Sequence, residues 1–117
     1  MKKILVVDDN EAILDMLKEL LELNGFSVQL LSAGKVVLDT VIREQPDLVL
    51  LDVLLGRENG LSICREIKEN PCTCNIPVMM MSALDRSLIA TELAPDFFLA
   101  KPFDIRSLIS EIRELAA

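Results

Sequence analysis

Five short apolar runs recur along the chain, at Ile4–Val7, Ser27–Leu31, Leu48–Leu51, Pro77–Met81 and Phe97–Ala100. Each has the length of a strand. The first, third and fourth are apolar at nearly every position, which predicts strands covered on both faces, as in a parallel sheet. In the second run Ser27 and Gln29 alternate with Val28 and Leu30, which predicts an edge strand with one wetter face. Helical spacing fills the intervals. Ala12 to Asn24 places Ile13, Leu17, Leu20 and Leu21 on one stripe, with Asn10 as N-cap and Gly25 just past the end. Lys35 to Glu44 does the same with Val36, Val37, Thr40 and Val41, and Pro46 closes it. Leu61 to Glu69 carries Leu61, Cys64 and Ile67. Asp85 to Leu93 carries Leu88 and Ile89. Asp104 to Leu115 carries Ile105, Leu108, Ile109, Ile112 and Leu115. The order is therefore β-α repeated five times. Right-handed crossovers turn such a chain into an open parallel α/β sheet with helices on both faces.

A chain of 117 residues predicts one domain with one core, covering 1–117. Aromatic residues make up only 3%, with no Trp or Tyr, so the core must be aliphatic. The net charge of −7 argues against nonspecific nucleic-acid binding, which needs a basic surface. Cys64, Cys72 and Cys74 are odd in number, and no signal peptide precedes them. That reads as reduced thiols in a cytoplasmic protein. With no His in the chain, a structural zinc site lacks its usual ligands. No apolar run is long enough to span a bilayer.

In open α/β sheets, ligands bind outside the carboxyl ends of the strands. The first strand is followed by Asp8-Asp9, the third by Asp52, the fourth by Ser82-Ala83 and the fifth by Lys101-Pro102. Singly, each of these reads as a turn or cap residue. Together they put three carboxylates, a hydroxyl and an amine on one edge. Crowded carboxylates repel, and a fold tolerates them when something positive sits among them. A hard divalent cation with oxygen ligands fits, with Lys101 as a second positive charge. Mg²⁺ typically takes one or two carboxylates together with phosphate oxygens. A carboxylate is also a competent nucleophile toward phosphorus, giving an aspartyl phosphate.

Four segments carry a resemblance that covers essentially the whole chain. They are Lys3-Ile4-Leu5-Val6-Val7-Asp8-Asp9-Asn10, Asp47-Leu48-Val49-Leu50-Leu51-Asp52, Ser82-Ala83, and Lys101-Pro102-Phe103-Asp104. In this order the chain resembles the CheY-like receiver domains of response regulators in two-component signalling. The resemblance implies a flavodoxin-like fold with strand order 2-1-3-4-5. It implies Asp52 as phospho-acceptor, with phosphoryl groups arriving from a histidine kinase or phosphotransfer protein in a Mg²⁺-dependent reaction. Asp9 would ligate the metal directly, Asp8 mainly through water, and the backbone carbonyl of Leu54 would be a further ligand. Ser82 would be the switch hydroxyl, Lys101 the phosphate-pairing amine, and Lys101–Pro102 a cis peptide. Phe98 matches the aromatic switch position, where lack of a hydroxyl leaves packing as its only means. Output would pass to a partner protein or output domain at the Leu84–Phe98 side. Dimerisation is left open, and direct nucleic-acid or membrane contact is not expected.

The chain departs from the family pattern in places. Leu55-Gly56-Arg57 replaces the usual Pro-Gly-type turn after Asp52, which predicts a looser loop. Ala94-Pro95 stands where Gly-Ala is common, and the span from Ser82 to Lys101 is short, which predicts a short or displaced fourth helix. Leu54 and Leu84 occupy the two positions flanking the phosphoryl group, and neither can orient water. Two rival readings fit parts of the same pattern. A Mg²⁺-dependent phosphohydrolase of the haloacid-dehalogenase type would need an acid where Leu54 stands. A receiver-like docking module would use no phosphate at all.

Overall fold

The computed structural model describes residues 1–55, 58–82, 97–100 and 104–116, and at 54, 82, 97, 98 and 100 the backbone only. Five strands form one parallel sheet: β1 (Lys3–Val7), β2 (Ser27–Leu31), β3 (Leu48–Asp52), β4 (Val78–Ser82) and β5 (Phe97–Ala100). Their order is β2-β1-β3-β4-β5, as the resemblance implies. Four helices are described: α1 (Glu11–Leu23), α2 (Val37–Glu44), α3 (Gly60–Glu69) and α4 (Ile105–Leu115). The helix expected over Asp85–Leu93 lies outside the described residues.

Side-chain alternation along the strands explains why the central runs are apolar throughout. Ile4 and Val6 of β1, Leu48 and Leu50 of β3, and Met79 and Met81 of β4 face a core with α1 and α4. The intervening Leu5, Val7, Val49, Leu51, Val78 and Met80 face a second core with α2 and α3. Each of these three strands thus serves two layers, and all of β3 is buried. β2 pairs only with β1 and is half-buried or exposed along its length, as an edge strand should be. The single core expected from chain length is in fact two, separated by the sheet.

Helix ends follow local chemistry. Asn10 Oδ1 accepts from the N–H groups of Ala12 and Ile13 at 2.9 and 3.2 Å. Gly25, at φ +88°, takes the left-handed turn after α1. Asn59 caps α3 through the N–H of Leu61, and Asp104 caps α4 through the N–H of Arg106. A 3-10 turn at Gly34–Val36 leads into α2, so the regular helix begins later than its apolar stripe suggests. Gln45, at φ +46°, ends α2 and donates its side-chain amide to the carbonyls of Ile42 and Cys72. No helix among the described residues is long and apolar enough to cross a membrane.

Candidate functional site

The parallel order brings the ends of β1 and β3 side by side. Asp8 follows β1 directly. Its N–H continues the ladder to β2 by donating to the Leu31 carbonyl at 3.1 Å, and its side chain is fully buried. Its Oδ1 accepts from the N–H of Asn10 at 3.0 Å, which ties the carboxylate to the residue capping α1. Asp52 is the last residue of β3 and only 7% exposed. It stands in register with Met81 of β4, and the next N–H, that of Val53, donates to the Met81 carbonyl at 3.0 Å. Asp9 is exposed beside them.

One oxygen from each of Asp8, Asp9 and Asp52 lies within 4.8 Å of the others. Two unit charges about 4 Å apart repel by about 4 kcal/mol at an effective dielectric near 20. A trio of this kind, two of them buried, is a candidate site for a positive group. The donors are all hard oxygens. Of the thiols, Cys64 is buried in the core with α2 and α3, and Cys72 and Cys74 sit in the turn before β4. This donor chemistry fits Mg²⁺ or another hard divalent ion and does not suit a soft metal.

Of the loop expected to be looser at Leu55-Gly56-Arg57, residues 56 and 57 lie outside the described residues. Leu54–Leu55 pairs antiparallel with Glu58–Asn59 in a short ladder, which the sequence reading missed. Leu54 opens this ladder two residues past Asp52. Ser82 ends β4 opposite Ala100 of β5, and Phe98 stands opposite Met80. These are backbone placements. Lys101 and Pro102 lie outside the described residues, as does most of the expected output side from Leu84.

Away from this edge, at the amino end of the sheet, the Lys3 ammonium sits 2.9 Å from Glu44. Its hydrogen bond and charge hold the Glu44 carboxyl below the usual carboxylate range.

A parallel α/β sheet of this strand order with an acidic trio at its carboxyl edge is the architecture of a receiver domain, and sequence comparison places the chain accordingly. The profile of the response regulator receiver domain family matches residues 4–113. The chain belongs to that family. It is 34% identical over 116 residues to the response regulator MprA of Mycolicibacterium vanbaalenii, a match covering 97% of this chain and 49% of the relative. It therefore spans about half that relative's length. The signal receiver domain of a histidine kinase from Syntrophus aciditrophicus superposes with TM-score 0.92 at 28% identity, covering 99% of this chain and 90% of that one. The receiver domain of sensor histidine kinase PA1611 from Pseudomonas aeruginosa PAO1 has the same fold, with TM-score 0.89 at 24% identity, covering 98% and 97%. That structure has a magnesium ion coordinated in its active site cleft.

Proposed function

We propose that this receiver domain is a phospho-acceptor switch in which Asp52 takes a phosphoryl group from a histidine kinase or phosphotransfer protein. The observation that carries the reading is the convergence of Asp8, Asp9 and Asp52 within 4.8 Å at the carboxyl edge of the sheet. An Asp52 oxygen attacks phosphorus, the bond from phosphorus to the donor nitrogen breaks, and the donor imidazole leaves with the electron pair. Asp52 then carries an acyl phosphate. Phosphoryl transfer needs positioning and charge stabilisation more than covalent help. Asp8, Asp9, Asp52 and the Leu54 carbonyl would hold a Mg²⁺, which when bound would neutralise charge on the phosphoryl oxygens. The magnesium in the Pseudomonas aeruginosa receiver supports that choice of ion.

In this reading the Lys101 ammonium pairs with the phosphoryl group and the Ser82 hydroxyl donates to one of its oxygens. Ser82 and Ala100, the residue before Lys101 in the sequence, share a register position. Movement of Ser82 opens space for Phe98, and the Leu84–Phe98 side changes shape for a partner protein or output domain. Residues 1–117 act as one cytoplasmic unit that catalyses only its own phosphorylation and slow dephosphorylation.

The test is incubation with Mg²⁺ and acetyl phosphate, read as intact mass. A gain of one phosphoryl group, absent in Asp52→Asn and after chelation of the metal, is the expected result. No gain under any condition overturns the reading and leaves a docking module that uses no phosphate.

A further inference from the structure

Gly60 is the first residue of α3 and is buried. Its backbone lies against the main chain that ends β3. A Cβ at this position would run into the carbonyl oxygen of Asp52, and would sit 2.9 Å from the Val53 Cα and 3.0 Å from the Asp52 carbonyl carbon. These neighbours are all backbone, so no rotamer change relieves the clash. Gly34 differs: there the nearest atoms are the ends of the Glu58 and Ile63 side chains, which can swing away. The Gly60 N–H also donates to the Val53 carbonyl at 2.7 Å. The Leu54–Leu55 and Glu58–Asn59 ladder returns the chain to this point. Glycine weakens a helix relative to alanine, so the contact, not helix formation, accounts for its presence.

We infer that Gly60 is a positioning residue for the acidic site: with no side chain, it lets α3 start directly against the Asp52 carbonyl. That contact and the bond to Val53 fix the Asp52–Val53 and Val53–Leu54 peptide planes, the stretch of backbone that joins the Asp52 Cα to Leu54. The inference rests on the reading of Asp52 as metal ligand and phospho-acceptor.

The experiment compares the wild type, Gly60→Ala and Leu21→Ala. Leu21 is buried on α1, in the core across the sheet from α3, so its truncation destabilises the fold without touching the site. Thermal unfolding without metal, calorimetric titration with Mg²⁺ and the acetyl phosphate reaction are read on all three. Both variants should unfold at lower temperature. Only Gly60→Ala should also bind Mg²⁺ about tenfold or more weakly, the range seen when groups orienting a metal ligand are lost, and gain its phosphoryl group more slowly. Wild-type Mg²⁺ affinity in Gly60→Ala overturns the inference, as does an equal loss in Leu21→Ala. If Gly60→Ala does not fold, solvent exchange of the Gly60 N–H in the wild type decides. Slowing on Mg²⁺ saturation is expected, and an unchanged rate overturns the inference. A wild type that binds Mg²⁺ but gains no phosphoryl group overturns the phospho-acceptor reading and leaves the Gly60 inference to the magnesium titration.

Discussion

The backbone N–H of Asn10 donates to Oδ1 of Asp8 at 3.0 Å, while the Asn10 side chain caps α1. One residue therefore joins the start of a helix to a buried carboxylate, through two separable groups. Asn10→Ala removes the cap and keeps the N–H. It should cost about 1 kcal/mol of stability with little change in Mg²⁺ affinity. Denaturant unfolding beside a calorimetric titration checks both. A large loss of affinity would mean that the side chain, not the backbone, orients Asp8.

Oxygens of Asp8, Asp9 and Asp52 lie within 4.8 Å of one another, close enough for like charges to repel when no cation is bound. Asp52→Asn removes one charge from the trio and should raise the metal-free stability, by on the order of 1 kcal/mol once solvent screening at exposed Asp9 is allowed for. The same change should shrink the stabilisation that Mg²⁺ confers. For the wild type that stabilisation is about 2.7 kcal/mol at a concentration about one hundred times the dissociation constant. Melting curves with and without Mg²⁺ read both effects, which run in opposite directions.

Acid should weaken the fold in part through Glu44. Its carboxyl is held below its ordinary value of 4.5 by the hydrogen bond and charge of Lys3. A depressed carboxylate contributes stability that is present above its unfolded value and lost as pH falls through the folded one. Glu44→Gln should therefore be less stable than the wild type at neutral pH, and the gap should close in strong acid. Urea unfolding across that range tests it. A gap that persists in acid would assign the effect to packing.

In the proposed reading Leu54 and Leu84 flank the phosphoryl group, and a leucine side chain has no polar atom to orient an attacking water. Once formed, the Asp52 phosphoryl group should persist well beyond seconds at neutral pH without a phosphatase. Intact mass followed over time after removal of the donor checks this, and loss within seconds contradicts it.

Replacing Phe98 by Ala should uncouple output from phosphorylation while Asp52 still gains its phosphoryl group. Binding of the output partner to the phosphorylated variant is the measurement. Intact output would reduce Phe98 to a packing residue.

β1, β3 and β4 were legible because strands buried on both faces read as apolar runs, β2 because its residues alternate as on an edge, and α1 and α4 because their stripes hold helical spacing over long stretches. Asp8, Asp9 and Asp52 were legible as a group because a parallel sheet gathers strand ends on one edge. The ladder at Leu54–Leu55 and Glu58–Asn59 was not, since two-residue strands have no period to detect. Gly60 was also invisible as a constraint. Its requirement comes from an Asp52 carbonyl that only the folded sheet brings beside it. The 3-10 turn at Gly34–Val36 was hidden under a continuous apolar stripe.

Ile4 and Val6 belong to one hydrophobic set and Leu5 and Val7 to the other, and the two sets share no side chain. The sheet is a partition between them. A change of volume beside α3 can be compensated by neighbours in the same compartment without disturbing the packing of α1 and α4. The two helical layers can therefore be repacked separately, each against its own face of the sheet.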